Sequence, residues 1–128
     1  MDNIELDLIS KQILDASIEV HKNLGPGLLE SVYEVCLYKE LRNRNLFVQR
    51  QVVLPVKYKT EQLDLDFRID LLVAKEIIIE LKAVDILLPV HEAQIITYLK
   101  LAEKRLGFLI NFNVPKLIDG FKRKVNNF

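Results

Sequence analysis

Two strongly apolar stretches, separated by three residues, constrain the fold of this chain more than any other feature. They span residues 63–73 and 77–83, and each has apolar side chains at every odd-numbered position. Strand side chains alternate between faces, and directly opposed residues of an antiparallel pair share a face. The pattern therefore predicts a hairpin with a three-residue loop at 74–76, because a one-residue slip would set apolar residues against charged ones.

Charged residues interrupt both stretches at the same level of this hairpin. The predicted register sets Asp70 opposite Glu80 and Ile69 opposite Leu81, and Lys82 follows on the same face as Glu80. Opposed side chains on one face lie about 5 Å apart at Cβ. Two carboxylates that close repel each other unless a proton or a cation lies between them. A hard divalent cation with oxygen ligands suits this position, so the hairpin predicts a metal site.

The alternative is an ordinary solvated hairpin. In that interpretation Glu80 and Lys82 lie on the exposed polar face of an edge hairpin, and Arg68 and Lys82 neutralise the acids. Short motifs of this kind often arise by chance, so the rest of the chain has to decide between the two interpretations.

Composition limits the class of protein. The chain has 128 residues, half of them hydrophobic, which suits one domain with a buried core.

No apolar run is long enough to span a membrane, and we expect a cytoplasmic protein without a signal peptide or membrane contact. The single cysteine, Cys36, excludes an internal disulfide and a cysteine-rich zinc site. With 18 basic and 18 acidic side chains the net charge is zero, which counts against tight autonomous binding of nucleic acid but not against a local site.

Hydrophobic periodicity and breaker residues predict the element order ααβββαβ. Pro55 indicates an edge position or a bulge in the first strand. The three consecutive strands form an antiparallel meander, and the third helix is a crossover that pairs the last strand in parallel. This order predicts an α/β fold with a mixed sheet flanked by helices. The expected helices span residues 4–23, 28–43 and 90–105, the strands span residues 46–58, 63–73, 77–83 and 108–112, and the tail has room for one further strand or turn.

Two further segments carry polar residues that suit either a functional site or an ordinary structural role. Glu30 lies in the first turn of the second predicted helix, with Tyr33 three residues later. An acid at that position also complements the helix dipole, for about 0.3–1 kcal/mol. In the third helix His91, Gln94 and Tyr98 form a polar line at helical spacing, which a solvated helix edge also produces.

The order of these motifs over about residues 4–125 resembles the GxxExxY protein family of the PD-(D/E)XK nuclease superfamily. The resemblance implies a restriction-endonuclease-like fold in a single nuclease-like domain over residues 1–128. Ile69 stands where the superfamily name has proline, at a position that varies widely. The segments that carry the resemblance are Gly27-x-x-Glu30-x-x-Tyr33, Asp70-Leu-Leu-Val73, Ile79-Glu80-Leu81-Lys82-Ala83, His91-Glu92-Ala93-Gln94, Tyr98-Leu99-Lys100 and Leu109-Ile110-Asn111-Phe112.

The resemblance implies three sets of site residues. The catalytic set is Asp70, Glu80, Lys82, Glu30 and Gln94. The metal-binding set is Asp70, Glu80, Glu30 and the backbone carbonyl of Leu81, and the implied metal is Mg²⁺, or else Mn²⁺. The substrate-binding set is Tyr33, Tyr98 and His21, although a favourable contact with a helix C-terminus also explains a histidine at position 21.

The implied function is metal-dependent hydrolysis of a phosphodiester bond in DNA, or with less support RNA. The alternative is a catalytically silent nuclease-fold domain that binds a nucleic acid or a protein partner. The intact set of Asp70, Glu80 and Lys82 favours catalysis. Zero net charge and the absence of a recognition insertion favour the alternative, or an enzyme that depends on a homodimer or a partner protein. A small-molecule zinc hydrolase would need a histidine-rich ligand set, which this chain lacks.

Overall fold

A central five-stranded sheet organises the chain. The computed structural model describes all 128 residues. The strands are adjacent in sequence order, β1-β2-β3-β4-β5. The first three form an antiparallel meander, β3 and β4 are parallel, and β5 is antiparallel to β4. The predicted mixed sheet is confirmed, and β5 is the further strand for which the tail had room. The strand bounds are β1 (Val48–Tyr58), β2 (Glu61–Val73), β3 (Ile77–Lys82), β4 (Leu106–Asn111) and β5 (Phe121–Val125).

Four helices flank the sheet. They are α1 (Asn3–Leu24), α2 (Glu30–Asn43), α3 (Pro89–Ala102) and the single turn α4 (Leu117–Gly120). Helix α3 connects β3 to β4, and this crossover is what allows the two strands to run in parallel. The predicted order ααβββαβ is confirmed, with a short helix and a strand added at its end. None of the helices has the length and apolar character needed to cross a membrane.

The sheet separates two hydrophobic cores. The larger core lies against α1 and α2 and holds 18 buried residues, among them Leu37, Ile79 and Leu81. The smaller core lies against α3 and holds 7, including Ile78 and Ile95. Strand β3 is the middle strand of the sheet and is covered on both faces. This position explains why its sequence reads as an almost continuous apolar run.

The hairpin between β2 and β3 has the predicted register. Leu71 pairs with Ile79, and Val73 pairs with Ile77. The loop is the predicted three residues, 74–76, of which the first two are left-handed, with φ of 53° and 59°. The matching of apolar side chains across two strands was therefore sufficient to determine this pairing.

One part of the hairpin prediction is wrong. Strict alternation placed Ile69 and Leu71 on the same face, but Ile69 packs in the α3 core and Leu71 in the α1/α2 core. The physical reason is an interruption at Asp70. The pairing with β3 ends at Leu71, and the pairing with β1 has no rung between Arg50 and Val52. Strand β2 therefore exchanges its two faces at Asp70.

Strand β1 lies at the edge of the sheet and carries an irregularity beside its proline. The register with β2 shifts between Pro55 and Lys57. Proline has no N–H to donate to a ladder, and it is found at sheet edges or at bulges for that reason. The prediction for Pro55 is confirmed.

Candidate functional site

Asp70 and Glu80 bring two carboxyl groups together at the centre of the sheet. Glu80 lies on the middle strand and is only 6% exposed, while Asp70 is half-buried on β2. The Oδ2 of Asp70 accepts a hydrogen bond of 2.8 Å from the backbone N–H of Leu81. The side chain of Asp70 thus takes the place of the next backbone rung, where Ile69 was expected to face Leu81. Glu80 does not lie on an exposed edge hairpin, so that alternative is wrong.

The carboxyl of Glu80 is in an environment that disfavours its charged form. Burial raises the pKa of Glu80 most, and repulsion by Asp70 and a hydrogen bond with its carboxyl contribute to a value of about 10. The Oε1 of Glu80 is buried and has no hydrogen-bond partner. A buried, unpartnered carboxyl oxygen beside a second carboxyl is the kind of donor set that a hard divalent cation uses. The residues present therefore fit a divalent metal.

No basic side chain neutralises this pair directly. Neither Arg68 nor Lys82 takes part in any of the salt bridges of the molecule. Arg68 is exposed, and Lys82 is half-buried at the end of β3. The Lys82 ammonium opposes the increase in the pKa of both Glu30 and Glu80, so it lies within electrostatic reach of both. Lys82 thus contributes positive charge to the site without occupying the space between the acids.

Glu30 faces the same region from the first turn of α2. Burial raises the pKa of Glu30, Lys82 opposes this increase, and Asp70 adds to it. However, no three histidine, cysteine, aspartate or glutamate side chains lie close enough together to hold a metal ion. The side chains of Glu30, Asp70 and Glu80 are therefore not assembled as one direct ligand set. Glu30 is an acid at the rim of the site.

Tyr33 supports the turn that presents Glu30. Its hydroxyl donates a hydrogen bond of 2.6 Å to the carbonyl of Gly25 and accepts one of 3.1 Å from the N–H of Leu28. Its ring is fully buried and stacks on Phe112, with the ring centroids 4.6 Å apart. Because the side chain is buried and its hydroxyl is occupied, Tyr33 has a structural role here, and its contact with substrate stays a prediction.

His21 also makes a structural contact. Its Nε2 lies 2.8 Å from the carbonyl oxygen of Val114, within hydrogen-bond distance. This contact joins the last turn of α1 to the loop that follows β4. In this structure His21 therefore links two elements that are 93 residues apart in sequence, and its substrate-binding role stays a prediction.

Helix α3 contributes Gln94 and Tyr98 to the site. The Nε2 of Gln94 donates a hydrogen bond of 3.0 Å to the Tyr98 hydroxyl. Burial raises the pKa of Tyr98, and the nearby carboxyls of Glu80 and Asp70 raise it further. The Tyr98 hydroxyl thus lies in the electrostatic field of the acid pair. A groove of about 450 Å³ runs along these residues and is also lined by Phe67, Val90, His91, Ala93 and Thr97.

Comparison with known proteins decides the family. A family model described as the PD-(D/E)XK nuclease superfamily matches residues 7–124. The chain belongs to the PD-(D/E)XK nuclease superfamily. No curated protein and no solved structure matches it. The five-stranded mixed sheet with flanking helices is consistent with the restriction-endonuclease-like fold of this superfamily. PD-(D/E)XK nucleases generally use divalent metals, in agreement with the oxygen donors of Asp70 and Glu80.

One buried polar residue of this PD-(D/E)XK domain was missed as a positioning residue. Asn111, at the end of β4, is 2% exposed. Its side chain accepts hydrogen bonds from the N–H groups of Val84 and Asn113 and donates one of 2.8 Å to the carbonyl of Val84. These bonds fix the segment that follows Lys82. The sequence signal that could have identified Asn111 is an asparagine within an otherwise apolar strand, since a buried polar side chain needs hydrogen-bond partners.

A second buried group was also missed. Glu34, one helical turn after Glu30, is 6% exposed and binds the side chains of Arg50 and Gln51. Its partners lie 16 and 17 residues away on β1, and no spacing rule connects a helix to a strand over that distance. Nothing in the sequence pattern of this PD-(D/E)XK domain indicated the cluster.

Proposed function

We propose that this PD-(D/E)XK domain is a metal-dependent phosphodiesterase that cleaves DNA, with RNA as the second substrate to test. The observation that supports the proposal is the buried pair of Asp70 and Glu80, in which one carboxyl oxygen has no partner. A purely structural acid at such a position would be paired with a basic side chain, and none reaches it. A site that a divalent cation completes accounts for the arrangement.

The residues of the hairpin would hold the metal. Asp70 and Glu80 would provide carboxylate ligands for Mg²⁺, with Mn²⁺ as a substitute, and the carbonyl of Leu81 would provide a further oxygen. A bound ion of this kind supplies a water of lowered pKa and a positive charge beside the scissile phosphate. Glu30, at the rim, would hold an outer water of the site by hydrogen bonding.

Lys82 and the residues of α3 would act on the substrate. The Lys82 ammonium would assist the attacking water or stabilise negative charge that develops on the phosphate in the transition state. The Tyr98 hydroxyl is a hydrogen-bond donor at neutral pH, since its pKa lies above the ordinary value for tyrosine. Gln94, which donates a hydrogen bond to this hydroxyl, would orient a phosphate oxygen or the attacking water together with Tyr98.

A second candidate function is a silent nuclease-fold domain that binds a nucleic acid or a protein partner. The observation in its favour is the zero net charge, since proteins that bind nucleic acid tightly neutralise many phosphates with basic residues. The same observation suits an active enzyme that depends on a second copy of the chain or on a partner protein. From the sequence motifs we also propose that the chain is a member of the GxxExxY family. We further propose that the protein is cytoplasmic.

The experiment is a cleavage assay on supercoiled, linear and single-stranded DNA and on RNA, with Mg²⁺, Mn²⁺ or a chelator. The variants are Asp70→Asn and Glu80→Gln, which keep the side-chain volume, and the matched control is Asp64→Asn, an exposed acid on the same strand β2. We expect the wild type and the control to cleave. The two site variants should lose about 100-fold or more in rate, because they remove a metal ligand.

Two outcomes would contradict the proposal. If the folded wild type cleaves none of the substrates with either metal, the silent-domain alternative takes its place. If Asp70→Asn retains the wild-type rate, the cleavage does not depend on the Asp70–Glu80 pair.

A further inference from the structure

The buried Glu34 lies beside the site, and the proposed chemistry does not use it. Its Oε2 accepts hydrogen bonds from Nε and Nη2 of Arg50, at 3.3 and 3.0 Å. Its Oε1 accepts one of 2.7 Å from Nε2 of Gln51. Both oxygens are therefore occupied, and the charge is paired. A carboxylate held in this way fixes the position of its partners and has no open site for a ligand.

Gln51 has an unusual backbone conformation. Its φ is +52°, in the left-handed region, although it lies within strand β1. Residues with a Cβ rarely adopt this region, and they keep it only where the surrounding structure imposes it. The side-chain bond from Gln51 to Glu34 is such a restraint, because it joins β1 to helix α2.

Gln51 lies directly across the sheet from Asp70. The ladder between β1 and β2 has rungs on both sides of this position but none at it: Arg50 pairs with Leu71, and Val52 pairs with Ile69. Strand β2 also exchanges its faces at this position, since the residues before and after Asp70 pack in different cores. The left-handed residue and the exchange of faces therefore occur at the same level of the sheet.

We infer that Gln51, held left-handed by Glu34, is a positioning residue for Asp70. A regular backbone rung at Gln51 would keep the side chains of β2 alternating strictly between the two faces of the sheet. The Asp70 carboxyl would then point to the face that this alternation assigns to it. With the rung missing, the strand rotates, and Oδ2 of Asp70 reaches the N–H of Leu81. The pairing with Arg50 keeps Glu34 from acting as a further free acid in the site. The catalytic meaning of this orientation rests on the proposed function, whereas the orientation itself does not.

The test uses the Leu81 amide as a reporter of the Asp70 side chain. Its chemical shift and hydrogen exchange are measured by NMR in the metal-free protein. Gln51→Val disfavours the left-handed backbone and removes the amide side chain, whereas Gln51→Gly permits the left-handed backbone. The matched control is Lys59→Val, since Lys59 is also left-handed, with φ of 57°, but lies at the turn between β1 and β2.

The expected result separates the variants. In Gln51→Val the Leu81 amide shifts and exchanges about tenfold faster or more, after correction for global stability, because its acceptor has moved away. In Gln51→Gly and in Lys59→Val the exchange stays within about threefold of the wild type. The inference is overturned if the chemical shift and hydrogen exchange of the Leu81 amide in Gln51→Val match those in Lys59→Val. If Gln51→Val does not fold, Glu34→Leu takes its place, because leucine cannot accept the hydrogen bond from Gln51. The inference is overturned if Leu81 then keeps its wild-type shift and exchange.

A parallel titration with Mn²⁺ distinguishes this inference from the proposed function. If both are correct, the affinity for Mn²⁺ falls in the same variants in which the Leu81 amide loses protection. If the Leu81 amide responds but the wild type binds no Mn²⁺, the positioning role is supported and only the metal-dependent function is overturned.

Discussion

The side chain of Asp70 replaces a backbone rung between two strands, because its Oδ2 accepts a hydrogen bond of 2.8 Å from the N–H of Leu81. This bond lies two residues beyond the last regular partner on β3, Ile79. It holds the Asp70 carboxyl against the neighbouring strand, beside Glu80. Burial and the neighbouring Asp70 raise the pKa of Glu80 to about 10, which favours the neutral form of this carboxyl at neutral pH. The metal-free site is thus occupied by a proton that a cation has to displace.

The free energy of unfolding of the metal-free protein should fall as the pH rises. Glu80 has a pKa of about 10 in the folded protein, against an ordinary value of 4.5. Between these values the folded protein holds a proton that the unfolded chain has released, so stability is greatest at the acid end of this window. Glu80→Gln cannot titrate, and it should stabilise the metal-free protein by about 2 kcal/mol or more at about pH 8.

The measurement for this prediction is urea denaturation of the metal-free wild type and of Glu80→Gln between about pH 6 and 9. All other titrating groups are common to both proteins, so the difference in slope reports on Glu80. Equal slopes in the two proteins would show that Glu80 does not carry the proton.

Lys82→Met should separate catalysis from metal binding. Lys82 forms no ion pair with the acids, so its removal leaves the carboxyl ligands in place. It also removes the positive charge that stabilises the transition state, for which we expect a loss of about 10²–10³-fold in cleavage rate. The affinity for Mn²⁺ should be unchanged or slightly higher. The control is Lys75→Met, an exposed lysine in the loop of the same hairpin. An unchanged rate in Lys82→Met, or a large loss of Mn²⁺ affinity, would be inconsistent with this role.

Tyr33→Phe should destabilise the fold without weakening metal binding. It removes a hydroxyl that joins Gly25 to Leu28, and it leaves a part-buried carbonyl and N–H without that partner. We expect a loss of about 1–3 kcal/mol in the free energy of unfolding, measured by urea denaturation. Tyr38→Phe is the matched control, because its hydroxyl bonds only to Arg42 in an exposed setting, and it should cost about 0.5 kcal/mol or less. Full stability of Tyr33→Phe, combined with weaker binding of nucleic acid, would restore the substrate role.

The hairpin and the mixed sheet could be predicted because their determinants are local. The apolar alternation of two nearby strands has only one register that matches, and a helix between two strands allows their parallel pairing. The same alternation failed at Ile69, since the exchange of faces depends on Gln51. The conformation of Gln51 in turn depends on a contact with Glu34, 17 residues away on a helix. No periodicity in the sequence carries that information.

The acid pair of the site could be predicted, and the roles of the residues around it could not. The register places Asp70 and Glu80 at the same level of neighbouring strands, although it does not determine how the Asp70 carboxyl is oriented. Whether Glu30 is a direct ligand depends on how helix α2 packs against the sheet, which spacing does not determine. A tyrosine that binds substrate and one that supports a turn can have the same spacing, so the sequence alone does not reveal that Tyr33 is buried.

The most direct test of the account is a calorimetric titration of Mn²⁺ into the metal-free protein at about pH 7, in two buffers of different ionisation enthalpy. Because Glu80 holds a proton that the cation has to replace, we predict binding with release of about one proton per ion. Binding should be lost in Asp70→Asn and in Glu80→Gln, and it should be retained in Asp64→Asn. Absence of binding to the wild type, binding without proton release, or an unchanged affinity in Glu80→Gln would contradict the claim that this carboxyl pair is a divalent-metal site.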